Sequence, residues 1–135
     1  MMIPNPTDKL TPTEWEIMEA VWSLGGDPSV RDVVDHAYPG GEKAYTTVQT
    51  VMNTLEKKGL LSREKKGLVN FYRPTRSRTE AIETEISSLL SRLFRGSIPK
   101  LADSLLSMDD VSMKEIEEIK RLLRKKEREL KGGRQ

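Results

Sequence analysis

A chain of 135 residues with 36% hydrophobic content can bury one main core and carry an appended helical unit. The absence of cysteine excludes disulfides, thiolate metal sites and cysteine nucleophiles, and 23 basic against 21 acidic residues leave a formal net charge of only +2. Any affinity for a polyanion must then come from local charge asymmetry, and no apolar run approaches the roughly 18 residues of a membrane span.

Met1-Met2-Ile3-Pro4-Asn5-Pro6 lacks the regions of a signal peptide, and its prolines break both periodicities, so residues 1–9 read as a flexible lead of a soluble, cytoplasmic protein without membrane partners. Thr11-Pro12-Thr13-Glu14 then has the form of a capping box, with Thr11 as N-cap, Pro12 at the first helical position and Glu14 at the third. Trp15, Met18, Val21 and Trp22 share one stripe of the helix, which stops at Gly25-Gly26. Aromatics at that spacing are core rather than base-stacking residues. Ser29 caps a second, short helix to about His36-Ala37, and Pro39-Gly40-Gly41 forms a turn.

The most informative stretch begins at Ala44. Val48, Val51, Met52 and Leu55 occupy one helix face, while Thr46, Thr50, Asn53 and Lys57 gather opposite them, flanked by Thr47, Gln49 and Thr54. A solvated face would favour Glu, Lys and Arg, which are better helix formers than threonine. Short hydroxyls and amides instead suit close contact with base edges, so Thr46, Thr47, Gln49, Thr50 and Asn53 are the expected base readers. Gly59 ends the helix. Leu60–Glu64 and Leu68–Arg73 then read as two strands around a Lys65-Lys66-Gly67 turn, closed by Pro74. Lys57, Lys58, Arg63, Lys65, Lys66 and Arg73 make this stretch basic against Glu64 alone. Arg31, Lys43, Tyr45, Lys57, Arg63, Lys65 and Lys66 are the expected phosphate contacts. Two helices joined by a glycine-bearing turn, followed by a basic hairpin, are the logic of a winged helix on double-stranded DNA. A small α+β domain with a solvated hairpin is the competing reading, with Lys57-Lys58 merely opposing the helix dipole.

Beyond Pro74 the composition changes. Ser77 to Phe94 has a helical pattern with Ile82, Ile86, Leu89, Leu90 and Leu93 on one face, broken at Gly96. Ile98, Leu101 and Leu105 mark a shorter helix, and Ile116, Ile119 and Leu123 a last one, capped by Ser112 and running from acidic to basic. Three helices with narrow apolar stripes do not readily make a monomeric core, so these residues are the expected homodimer contacts; packing back on the first domain is the alternative. The expected fold is mainly α with a small β-hairpin wing, a winged helix-turn-helix domain at 10–75, a helical dimerisation domain at 76–131 and a flexible tail at 132–135.

No catalytic constellation is present. His36 is the sole histidine, Gly25-Gly26 and Gly40-Gly41 lack the spacing of a phosphate-binding loop, and Asp109-Asp110 with Glu115-Glu117-Glu118 is better explained by capping and solvation. Neither an enzyme, nor a metal, nor a cofactor is expected.

Leu10 to Met18, Val30 to Val34, Ala44 to Thr50 and Leu55 to Leu61 together resemble the penicillinase repressors, the BlaI/MecI regulators, and Lys114 to Ile119 is similar to their last helix. The resemblance covers about Leu10 to Lys125, with Ala44 to Thr50 its most specific part. It implies a homodimeric winged-helix repressor on a palindromic operator, with Thr46, Thr47 and Thr50 at the family's recognition positions and Lys65-Lys66-Gly67 at its wing. It also implies derepression by a regulatory protease. The family's Asn-Phe cleavage bond falls here on Ser104-Leu105, a departure that touches both the proteolytic switch and the β-lactam connection. Related copper-responsive repressors use a cysteine-rich motif that this chain lacks. The runner-up function is a winged-helix protein-interaction module; a third reading is a direct small-molecule sensor of the same architecture.

Overall fold

The computed structural model describes residues 9–133, so the expected lead and tail lie largely outside the described residues. The order is α1 (Pro12–Leu24), α2 (Val30–Ala37), α3 (Tyr45–Lys57), β1 (Leu61–Lys66), β2 (Val69–Pro74), α4 (Arg78–Phe94), α5 (Ile98–Leu106) and α6 (Met113–Gly132). The fold is mainly helical with one antiparallel hairpin. Helix α6 continues to Gly132, one residue into the expected tail.

Local chemistry sets the helix ends. Thr11 and Ser29 form reciprocal capping boxes with Glu14 and Asp32, as residues three apart at a helix start can. Helix α3 ends in a Schellman arrangement: Leu60 N–H donates to the Leu55 carbonyl at 2.9 Å and Gly59 N–H to that of Glu56 at 3.1 Å. Gly59 takes φ 84°, a conformation that a β-carbon disfavours.

Helices α1 to α3 and the hairpin enclose one core. Ile17, Met18, Val21, Val33, Val48, Met52 and Leu55 are fully buried there, with Leu61 and Tyr72 supplied by the strands. Trp15 and Trp22 are half-buried against it with ring centroids 5.7 Å apart, on the core side as expected. Pairing runs from Leu61↔Pro74 to Lys66↔Val69, so the tip is Gly67-Leu68. The expected Lys65-Lys66-Gly67 turn is corrected by two residues: both lysines belong to β1. Gly67 at φ 65° followed by a residue without positive φ is the glycine-first pattern of a tight hairpin turn. A bridge Ser29↔Phe71, with Tyr72 N–H donating to the Pro28 carbonyl at 2.9 Å, ties β2 to the start of α2.

The first compact unit ends at Leu89, beyond the division expected at residue 75. Trp22 Nε1 donates to the Arg76 carbonyl at 2.9 Å, Leu10 N–H donates to Glu85 at 3.2 Å, and Arg78 holds Glu19 through two hydrogen bonds. Ala81 is buried. The first turns of α4 thus belong with the winged helix.

The second unit, from Leu90 onward, contains α5, α6 and the last turn of α4. None of its described residues is buried. Leu93, Ile98, Leu105, Leu122 and Leu123 are all more than half exposed. Ser112 and Glu115 form the capping box of α6, and hydrogen bonds from the Ser112 backbone and hydroxyl hold the Glu115 carboxyl below its ordinary value of 4.5. A lowered carboxylate favours the folded turn above the unfolded value and loses that contribution as pH falls through the folded one. A carbon-detected titration should therefore place Glu115 below 4.5 in the native chain and return it toward 4.5 in Ser112→Ala. Equal midpoints would remove the box from the account.

Candidate nucleic-acid interface

Helix α3 presents two chemically different sides. Val48, Met52 and Leu55 are sealed in the core, while Thr46, Thr47 and Thr50 are exposed and Gln49 and Asn53 half-buried. Thr50 Oγ1 donates to the Thr46 carbonyl at 3.0 Å, so the exposed hydroxyl can still accept from an outside donor. Ala44 caps the helix without a side-chain acceptor, so the first-turn N–H groups keep their affinity for an anion.

Cations surround this helix from two directions. The Arg31 guanidinium lies 4.9 Å from the Tyr45 ring centroid, and its ion pair with Asp35 is long at 3.8 Å. Lys43 Nζ is 5.7 Å from the Tyr38 ring. Tyr38 is anchored in turn: burial, then its hydrogen bond to Glu16 at 2.8 Å, push the phenol pKa up. From the hairpin side, Lys66 sits 5.7 Å from the Phe71 ring and 3.9 Å from Glu64. Lys43, Lys57, Arg63 and Lys65 have no carboxylate partner among the described residues.

Two members of the basic run leave the patch. Lys58 Nζ binds Glu14 Oε1 at 2.9 Å, and that carboxylate, 5% exposed, also accepts the Thr11 N–H. Lys58 therefore pins the end of α3 to the start of α1. Arg73 makes a two-pronged pair with Asp27 at 3.0 and 2.9 Å, and these hydrogen bonds hold the Asp27 carboxyl below its ordinary value. Asn53 is also engaged: its Oδ1 accepts from Tyr72 Oη and from Arg63. The sequence pattern assigns Tyr72 and Leu68 only to the second strand; Leu68 stands 95% exposed at the hairpin tip. Ser104 and Leu105 lie exposed in the last turn of α5. Ile82, Leu89, Leu90, Leu101 and Ile116 are half-buried, while Ile86 and Ile119 are exposed.

The family model for the penicillinase repressors matches residues 10–125. The chain belongs to the penicillinase repressor family. It is a transcriptional repressor by family, not an enzyme, and its three helices followed by a two-stranded hairpin have the winged-helix order. A penicillinase repressor of Bacillus licheniformis is 27% identical over 115 residues, 85% of this chain and 89% of its own length. The methicillin resistance regulatory protein MecI of Staphylococcus aureus is 23% identical over 122 residues, covering 90% and 98% respectively. A Latilactobacillus sakei protein described as an uncharacterized 16.5 kDa protein in the ptsI 3′ region is 33% identical over 117 residues, 87% of this chain and 80% of its own. The solution structure of the DNA-binding domain of the repressor BlaI superposes with a TM-score of 0.48 at 25% identity, covering 58% of this chain and 90% of that one. No helix among the described residues is long and apolar enough to cross a membrane.

Proposed function

We propose that this penicillinase repressor family member acts as a homodimer on a palindromic double-stranded operator, reading bases with α3 and gripping phosphate with the hairpin. The observation that carries this is the exposed Thr46, Thr47 and Thr50 face together with Lys43, Lys57, Arg63 and Lys65, which have no carboxylate partner among the described residues. Gln49 lies at the edge of that face, and Arg31 and Tyr45 approach it from α2 and the start of α3. Such a site acts where DNA is, in the cytoplasm. Pairing through α5, α6 and the end of α4 is supported by apolar side chains that one chain leaves more than half exposed. Cleavage at Ser104-Leu105 by a regulatory protease would cut α6 from the chain and end bivalent binding. A full-length chain that remains intact in induced cells contradicts that step.

The division of labour on DNA has a direct test. Thr50 is exposed and its substitution by alanine improves helix propensity, so Thr50→Ala leaves folding intact. It should cost about 1–3 kcal/mol on the operator and little on random duplex. Lys65→Ala should weaken both alike and reduce the salt slope by about one. Fluorescence anisotropy at several salt concentrations reads both; identical behaviour of the two variants contradicts the assignment.

A further inference from the structure

Asn53 follows Thr46 by seven residues and Thr50 by three, so the three share one helix face. Its Oδ1 accepts the Tyr72 hydroxyl at 2.8 Å and Arg63 Nη1 at 3.3 Å. An amide oxygen has two lone pairs, and both are occupied. Arginine only donates, so the atom that faces it must be the oxygen. Tyr72 is 1% exposed, which denies its hydroxyl the alternative of bulk water. A flipped amide would leave the buried Tyr72 hydroxyl hydrogen without its acceptor and turn Nδ2 toward the Arg63 guanidinium, donor against donor. Its Nδ2 hydrogens have no protein acceptor among the described residues, and that nitrogen is not a buried unsatisfied atom. They remain available to a ligand.

We infer that Asn53 is a specificity-determining residue that only donates, selecting a base edge made of acceptors: guanine O6 and N7, or thymine O4. An asparagine with a free amide pairs with adenine through both its groups, accepting from N6 and donating to N7. Here the hairpin removes the accepting half, and the adenine amine would meet the Asn53 amine. Tyr72 and Arg63 are positioning residues, because they act on the base through the amide. Specificity at one base pair is thereby set from the wing, 10 and 19 residues away in the chain. This inference rests on the operator-binding reading above.

Sites selected from random duplex by the full-length chain and its variants test it. Asn53→Asp keeps both incoming hydrogen bonds and replaces the outward donors by an acceptor. One position per half-site should move from guanine or thymine to cytosine or adenine, by a factor of about 5–150. Comparing preferences within one library cancels any uniform loss from the added negative charge. Tyr72→Phe frees one lone pair and should admit adenine at that same position only; Arg63→Ala does so without touching a buried group, should Tyr72→Phe fold poorly. Unchanged relative preferences in Asn53→Asp, with a clear site for the native chain, overturn this inference alone. A native chain that selects no site overturns the repressor reading and this one with it.

Discussion

Leu93→Asp combined with Leu123→Asp should yield a monomer whose affinity for the full operator is about 10²–10⁴-fold lower. Both side chains are 60% exposed in the single chain, so neither charge disturbs packing within it. In a dimer each carboxylate would instead be buried against apolar neighbours without a partner, a cost of several kcal/mol per ion. Losing the dimer turns binding of the second half-site from an intramolecular event into an independent one. The half-site affinity should stay unchanged, since the winged helix lies in the other compact unit. Sedimentation velocity with anisotropy on full and half sites reads these quantities separately. A dimer that survives the double substitution places the contact elsewhere.

Leu55→Ala should have the largest effect on stability, about 2–5 kcal/mol, from lost transfer energy and the cavity left behind. Leu55 is 0% exposed at the junction of α3 with the hairpin, and its carbonyl accepts the Leu60 N–H that closes the helix end. Domains of this size have about 5–15 kcal/mol in total, so the variant sits close to unfolding at moderate temperature. Urea denaturation should show a lower midpoint with the same slope. A loss below about 1 kcal/mol would mean that this part of α3 is not in the cooperative core.

What the sequence revealed of this molecule follows the range of the interactions. The capping box of Thr11 and the N-cap at Ser112 are legible because donor and acceptor lie three residues apart, while the reciprocal bond from Glu115 completes a second box. The core face of α3 is legible because helical periodicity alone separates Val48, Met52 and Leu55 from the threonines. Lys58 and Arg73 read as free cations because their partners Glu14 and Asp27 lie 44 and 46 residues away. The same distance problem hid the orientation of Asn53, set by Tyr72. Lysines are poor strand formers, so composition sets the start of the hairpin turn two residues early. The burial of Leu61 and Tyr72 and the tight turn at Gly67 fix the register instead. At the other boundary, composition shifts after Pro74, yet Trp22, Glu19 and Leu10 hold the first turns of α4 to the winged helix. No local pattern reports that attachment.

The central claim is that two copies of this chain read a palindrome. Selection from random duplex DNA with the full-length protein, followed by a salt titration on the enriched sequence, tests it most directly. The expected result is a site with dyad symmetry, bound about 10³-fold or more above random duplex at physiological salt. Weak binding without enrichment that vanishes at moderate salt would contradict it and leave a winged helix used as a protein-interaction module.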